Sequence, residues 1–270
     1  MKTEDRIRHR FGDEAQAWSE RYDRPLERSI HAYNLHRRRQ HALDLLEETG
    51  GRVLDVGCGP GNVILSLDIS KRLERFGCDF AVPMLHQART NARLQDKPLH
   101  VFSADALSMP FGNRQFSSIF CLGVLEYAND VVQLLSECHR ILQTHGQLIV
   151  SVPNLTSPFI QIDDFFNGIK NAVTRSVPSG MRRWLKTNLL GRDDKAYFNG
   201  RNRRFDPRHV RCLLEQIGFV VQETRYHTYG FSTLNVRLDS KLFRRAEVFA
   251  HHNKTLERFG WTCILKAVRS

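Results

Sequence analysis

Apolar residues along this chain fall into two alternating rhythms. From about residue 29 to 48 they recur at helical spacing (Leu35, Ala42, Leu45, Leu46), and the run stops at Gly50-Gly51, a helix stop signal. Val53 to Val56 is a short apolar run that enters glycines, which predicts a strand. Beyond it the two patterns take turns. Arg75 to Phe80, Leu99 to Ser103, Phe116 to Leu122 and Gln147 to Val152 read as further strands. Helices are predicted over Pro83 to Leu94, with proline in the first turn, and over Val131 to Leu142, with Gly146 breaking the chain before the fifth strand. Five strands separated by helices predict an α/β fold with a mostly parallel sheet covered on both faces. Binding then belongs at the carboxyl ends of the strands.

The rhythm fails between 155 and 205, where Pro158, Pro178-Ser179-Gly180 and Asn199-Gly200 interrupt short mixed segments, and this predicts an insertion. It returns at Asp206-Pro207, an N-cap followed by proline, which opens a helix to Gln216 closed by Gly218. Phe219 to Arg225 and Thr262 to Val268 make a last pair of strands. The 36 residues between them are too many for a tight hairpin and hold a predicted helix around Ser240 to Phe249.

At 270 residues the chain reads as one domain with additions, and 41% hydrophobic with 26% charged residues excludes a disordered or fibrous class. No apolar run reaches the roughly 18 residues of a spanning helix. Met1 to Arg6 mixes both charge signs and leads to no apolar stretch, so neither a secretory signal nor a transit peptide is expected there, and a cytoplasmic protein is. Cys58, Cys78, Cys121, Cys138, Cys212 and Cys263 show no Cys-x-x-Cys and no tight Cys/His cluster, so reduced structural thiols and no metal site are expected. The charge of +11 changes the picture more. Residues 1–154 carry 19 Lys+Arg against 19 Asp+Glu, and residues 155–270 carry 21 against 10, so the whole excess sits in the C-terminal part. Two readings arise: an anionic partner, whether substrate, lipid headgroup or nucleic acid, or a solvated basic face.

The candidate chemistry begins at Asp55-x-Gly57-x-Gly59-x-Gly61, directly after the first strand, where glycines let the backbone reverse and approach a ligand closely. A dinucleotide turn needs its third glycine at position 62, which is Asn62. Asp79 ends the second strand 24 residues after Asp55, where a carboxylate either accepts from ribose hydroxyls or caps the next helix. Asp105 follows the third strand, in reach of an adenine amino group. Three successive strand ends thus each supply an acidic residue at one edge of the sheet.

These segments resemble the class I S-adenosylmethionine-dependent methyltransferases, specifically the small-molecule group that includes ubiquinone and menaquinone biosynthesis. Val53 to Asn62 is similar to that family's first motif, Gly77 to Leu85 to its second, and Asp105 to Phe111 to its third. Cys121 to Tyr127 looks like its segment after the fourth strand, and Glu137 to Asn154 like its helix, glycine turn and fifth strand. The resemblance implies a Rossmann-like seven-stranded sheet, mostly parallel, with helices on both faces and the last strand antiparallel. It divides one domain into a helical cap (1–50), a cofactor-binding core (51–154), an inserted lid or substrate segment (155–205) and the C-terminal part of the sheet (206–270).

By that resemblance Gly57, Cys58, Gly59, Pro60 and Gly61 contact the amino-acid end of S-adenosylmethionine, with Asp55 orienting the loop or meeting the ammonium through water. Asp79 holds the ribose, Phe80 and Met84 flank the adenine, Asp105 and Ala106 read its amine and ring edge, and Leu122 and Gly123 pass the methionine portion. Two departures matter: Phe116-Ser117 stands where the family often has Phe-Asp, and Tyr127 where it often has His. A histidine base at that point is therefore not carried over, and no catalytic residue is named.

The acceptor, small or lipid-linked and in one reading anionic, is expected on the added parts. Phe11, Ala15, Trp18 and Tyr22 fall at helical spacing; Tyr127 either positions the acceptor or walls the pocket. Trp184 lies in the insertion, where apolar Ile169, Val173, Met181 and Leu185 mingle with Lys170, Arg175, Arg182 and Lys186. That mixture is either a lid packed over the pocket or a basic amphipathic surface on anionic lipid, a peripheral membrane contact. Against a nucleic-acid substrate, Val152-Pro153-Asn154 is not the Asn/Asp-Pro-Pro-aromatic motif of amino-directed enzymes, and no nucleic-acid module is recognisable.

Overall fold

Val53 and Leu54 stand on opposite faces of one strand, and the chain buries both faces by repeating that alternation across a sheet. The computed structural model describes residues 18, 20, 30–47, 50–67, 73–176, 203–230 and 240–270; Tyr22, Trp184 and most of the insertion lie outside them. Strand β1 (Gly51–Val56) pairs in parallel with β2 (Leu73–Asp79) on one side and β4 (Phe116–Leu122) on the other. β3 (His100–Ser103) extends the sheet beyond β2, and β5 (Leu142–Pro153) beyond β4. β7 (Thr262–Arg269) lies antiparallel between β5 and β6 (Phe219–His227), which gives the seven-stranded order β3-β2-β1-β4-β5-β7-β6.

One face carries Leu54, Ile119, Cys121, Leu148 and Val150 against helix α3 (Val131–Ile141) through Leu134, Leu135 and Cys138 and against α5 (Pro207–Ile217) through Val210 and Leu214. The other carries Val53, Phe120, Ile149 and Ile264 against α1 (Ile30–Leu45) through Ala42 and Leu45, and against α2 (Val82–Leu94) through Ala92. Every residue of β4 is buried, as a central strand covered on both sides must be. The ends of α5 reflect their local chemistry. Asp206 caps the first turn by accepting from the Arg208 amide at 2.9 Å, and Gly218 closes the last in the left-handed region, at φ 108°.

Three boundaries differ from the sequence reading. β5 starts at Leu142, where α3 ends, and the register shifts between Phe116 and Ser118 so that residues 143–146 are absorbed as an irregularity with His145 at φ 61°. Gly146 therefore marks a bulge within the strand and not a break before it. Pro158 opens a 19-residue helix, α4 (Pro158–Ser176), because a proline lacks only an amide that the first helical turn leaves unbonded. β6 runs to His227, two residues beyond its expected end. α6 (Ser240–His251) and the short α7 (Lys254–Glu257) fill the connection before β7. All six cysteines are free thiols, and all but Cys212 are buried. Among the described residues no helix is long and apolar enough to cross a membrane.

Candidate functional site

Where β1 ends, the chain reverses through Gly57, Gly59 and Gly61, at φ 67°, 51° and 82°, a backbone region that side chains other than glycine rarely enter. At Gly57 space compounds conformation: a Cβ there would stand 2.5 Å from Cγ2 of Val124. Among the described residues, only a single 3-10 turn, Ile64–Ser66, lies between this loop and β2. The long helix whose amino end binds a pyrophosphate does not start at these glycines.

Asp79 ties the second strand end to the first. Its Oδ2 accepts from the Gly59 amide at 2.9 Å and its Oδ1 from the Ala81 amide at 2.8 Å, so it pins both the glycine turn and the backbone just before α2. Each carboxylate oxygen has two acceptor sites, so capacity for a ligand remains. Burial lifts this carboxyl above its ordinary range, and the amides it accepts from pull it back.

Together these segments bound a cleft with about 950 Å³ of empty space including its mouth, within the size range of small-molecule sites. The loop side is formed by Asp55, Gly57, Cys58, Gly59 and Pro60, and the adjoining strand by Asp79, Phe80 and Met84. Met84, 2% exposed, packs with Ala81 and Trp18, which brings Trp18 to this cleft. Leu122, Gly123, Tyr127 and Ala106 complete the walls.

Two residues assigned from sequence stand elsewhere. Gly61 faces Leu65 and Ala88, and its amide donates to the Cys58 carbonyl, so it shapes the turn from behind. Asp105 is exposed; its Oδ1 accepts from the Leu107 amide at 2.9 Å, and it borders a separate depression beside Phe80 and Pro83.

Two residues that sequence reasoning passed over complete the site. Arg38 reaches from α1 into the cleft, against the backbone of Gly123 at φ 73°, where any Cβ would collide with the Arg38 guanidinium. Its signal was the short basic run 37–39 within a helix otherwise facing the core. Glu126, on the 3-10 turn Leu125–Tyr127 just past β4, is 9% exposed. A carboxylate among apolar residues at the carboxyl end of a central strand was its signal.

The electrostatics stem from burial. Desolvation raises the carboxyls of Asp55 and Glu126 to about 7 each, while the charge of Arg38 acts in the opposite direction on both. Three buried carboxyl groups therefore line the cleft and two of them feel the Arg38 guanidinium, an environment that favours a cationic ligand and opposes a polyanion.

The family profile described as a methyltransferase domain matches residues 54–150, the stretch that supplies the loop, Asp79, Ala106 and Glu126. Over residues 54–150 the chain is thus similar to a methyltransferase domain. The chain is 36% identical over 115 residues to the demethylmenaquinone methyltransferase of Thermus thermophilus, an alignment covering 42% of this chain and 52% of that protein. It is 27% identical over 109 residues to the probable tRNA methyltransferase 9B of Bos taurus, covering 39% of this chain and 22% of that one. The chain thus spans about half or less of the length of these curated relatives. In fold, the methyltransferase domain and its additions resemble the magnesium protoporphyrin IX methyltransferase of Synechocystis with bound SAH, at a TM-score of 0.64, 16% identity and full coverage of both chains.

The residues present fit a sulfonium cofactor. A glycine turn whose backbone φ excludes side chains, and a buried acidic wall beside the Arg38 guanidinium, suit a ligand carrying a positive sulfur, an ammonium and a carboxylate.

Among the described residues, one cluster outside the cleft has metal-ligand types: His41, Glu247 and His251, with candidate ligand atoms within 4.8 Å of one another. Arg37 already places Nε 3.0 Å and Nη2 2.6 Å from Glu247 Oε1, and Tyr33 donates to Oε2 at 2.7 Å. The carboxylate is held by protein donors, so the cluster reads as an ion-pair knot joining α1 to α6.

Proposed function

We propose that this chain transfers the methyl group of S-adenosylmethionine to a small-molecule or lipid-linked acceptor. The observation that carries the reading is the convergence of Asp55, Asp79 and Glu126 with Arg38 around the glycine turn. In this reading Gly57 to Pro60 and Asp55 receive the amino-acid end, Asp79 the ribose, and Phe80, Met84 and Ala106 the adenine, with Leu122 and Gly123 alongside the methionine portion. When bound, the cofactor supplies an electrophilic methyl group for in-line displacement, and the charge on sulfur is discharged. The protein's own contribution is alignment and exclusion of water, with a base required only for an acceptor that is not already nucleophilic.

Calorimetry with S-adenosylhomocysteine tests this directly. Saturable binding that Asp79→Ala weakens supports it; no binding to the wild-type chain ends it. The basic excess of residues 155–270 supports an anionic acceptor or a peripheral lipid contact, and flotation with neutral and anionic vesicles separates the two: no flotation with the anionic vesicles beyond that with neutral ones removes the charge-driven lipid contact.

A second reading, methylation of RNA, is favoured by the same charge excess and by the likeness to the Bos taurus protein. A salt-sensitive mobility shift with tRNA supports it; the absence of one at low salt discards it.

A further inference from the structure

A second cavity adjoins the cofactor cleft, and the two share Arg38 and Glu126 as their common wall. It holds about 520 Å³ of empty space including its opening. It lies beyond the carboxyl ends of β4 and β5, the side on which open α/β sheets bind. Val152, Pro153, Ile160 of α4 and Trp261 give it apolar walls.

Its polar groups are largely occupied with one another. Thr262 donates to Asn34 Oδ1 at 3.0 Å, the Gly123 amide donates to Ser151 Oγ at 3.0 Å, and Arg204 donates to Asp164 at 2.7 Å. Glu126 differs. Its Oε2 is buried and, among the described residues, has no hydrogen-bond partner. A buried polar atom left unpaired calls for an explanation, and here it stands on the wall between the cofactor cleft and the adjoining pocket.

We propose that this second cavity is the acceptor pocket, that it takes a neutral phenol-type hydroxyl, and that Glu126 Oε2 receives the hydroxyl proton. The proposal rests on the methyl-transfer reading above. In the reaction the acceptor O–H bond breaks and its proton goes to Glu126. The freed oxygen lone pair forms the new bond to carbon, and the electrons of the old carbon–sulfur bond stay on sulfur, which becomes a neutral thioether.

Three observations favour a phenol. An ionised carboxylate acceptor needs no base and would meet the charge of Glu126. A sugar brings several hydroxyls, whereas Asn34, Thr262, Ser151 and Arg204 of this pocket are already engaged in hydrogen bonds. A flat apolar ring suits walls of Ile160, Val152 and Trp261. Burial also lifts the Glu126 carboxyl towards the range of a base working near neutrality.

The probe for this is 4-nitrophenol, whose absorbance distinguishes phenol from phenolate, titrated into the chain with S-adenosylhomocysteine bound. The wild type is expected to hold it as the neutral phenol. In Glu126→Gln the neutral probe binds about tenfold more weakly, as for one hydrogen bond to a charged acceptor, and the bound fraction shifts towards phenolate beside Arg38. Ile160→Trp, which fills the pocket, abolishes probe binding and leaves S-adenosylhomocysteine affinity within about twofold of wild type, well under the tenfold of 1.4 kcal/mol.

Equal affinity and equal spectra in wild type and Glu126→Gln overturn the role of Glu126. Probe binding that survives Ile160→Trp, or no saturable binding to the wild type, overturns the pocket. If Glu126→Gln does not bind S-adenosylhomocysteine at all, Ile160→Trp and Glu126→Asp carry the decision, the latter expected to keep the neutral-phenol spectrum at reduced affinity. Failure of the wild type to bind S-adenosylhomocysteine would instead sink the cofactor reading itself.

Discussion

Arg37 and Glu247, 210 residues apart, form a two-pronged pair: Nε lies 3.0 Å from both carboxylate oxygens and Nη2 lies 2.6 Å from Oε1. Glu247 also accepts from Tyr33 and faces His41 at 3.1 Å and His251 at 3.6 Å. It is nearly fully buried, so removing its charge strands a guanidinium and leaves the Tyr33 hydroxyl without its partner. Glu247→Gln is expected to cost about 3–5 kcal/mol, the range for breaking a buried pair from one side.

The pH dependence of that loss has a definite sign. Burial works to raise the Glu247 carboxyl, but hydrogen bonds from His251, His41, Arg37 and Tyr33 together outweigh it and hold the group far below its usual 4.5, so its contribution is complete above that value and fades as the solution becomes more acid. The His251 imidazole is raised above 6.5 by the same carboxylate, so its contribution is complete below 6.5 and is lost as pH rises through the folded value. The stability gap between wild type and Glu247→Gln should therefore be widest between about pH 4.5 and 6.5. Denaturant unfolding at four pH values checks it, and a gap that widens steadily to pH 9 contradicts it.

Asp79 fixes Gly59 as well as Ala81, so Asp79→Ala should loosen the turn even before a ligand enters. One hydrogen bond to a charged acceptor is worth about 1.5–3 kcal/mol. Affinity for S-adenosylhomocysteine is expected to fall roughly thirtyfold, measured by calorimetry, with Asp79→Asn recovering part of it.

Asp55 and Glu126 act on stability in the opposite direction to Glu247. Both carboxyls rise to about 7 in the fold, so the folded chain holds protons that the unfolded chain has lost, and stability falls as pH climbs from 4 to 7. Glu126→Gln is expected to stabilise the ligand-free chain at pH 8, by up to about 3 kcal/mol. Calorimetric melts at pH 5 and pH 8 test this: an equal effect at both would refute it. The same ionisation should make affinity for the sulfonium form rise relative to its neutral thioether product between pH 6 and 8.

Gly123 yields its side-chain space to the Arg38 guanidinium. Gly123→Ala brings both a disfavoured φ and a displaced arginine, at about 1–3 kcal/mol for the backbone alone. Cofactor affinity should drop with it, while Arg38→Ala in the same background should restore part of the stability.

The sheet was legible because each strand is short, apolar and closed by glycine or an acid, so β1 to β4 fall within two residues of their reading. Gly146 misled because a glycine between apolar runs looks the same whether it ends one element or bends another; the register against Phe116 decides it. Pro158 misled for a similar reason, since a proline that stops a helix and one that starts it differ only in the pattern of the residues on its C-terminal side. In the cleft, Asp55 and Asp79 were readable from strand-end position, and Met84 and Gly123 from the resemblance to the methyltransferase motifs. Arg38 was not, because its role depends on a helix crossing over the sheet to reach Gly123, and Glu126 lay unremarked inside an apolar motif.

Lying between β5 and β6, β7 imposes an order on assembly. β6 emerges some 35 residues before the strand it must bond to, and until residues 262–269 arrive it has no neighbour in the sheet. The growing chain therefore carries an unpaired edge and a bare flank on β5 during that interval, the template for joining a second chain. Yield in cells should depend on how fast that stretch is translated, with slow codons between 228 and 261 increasing aggregation without any change of sequence.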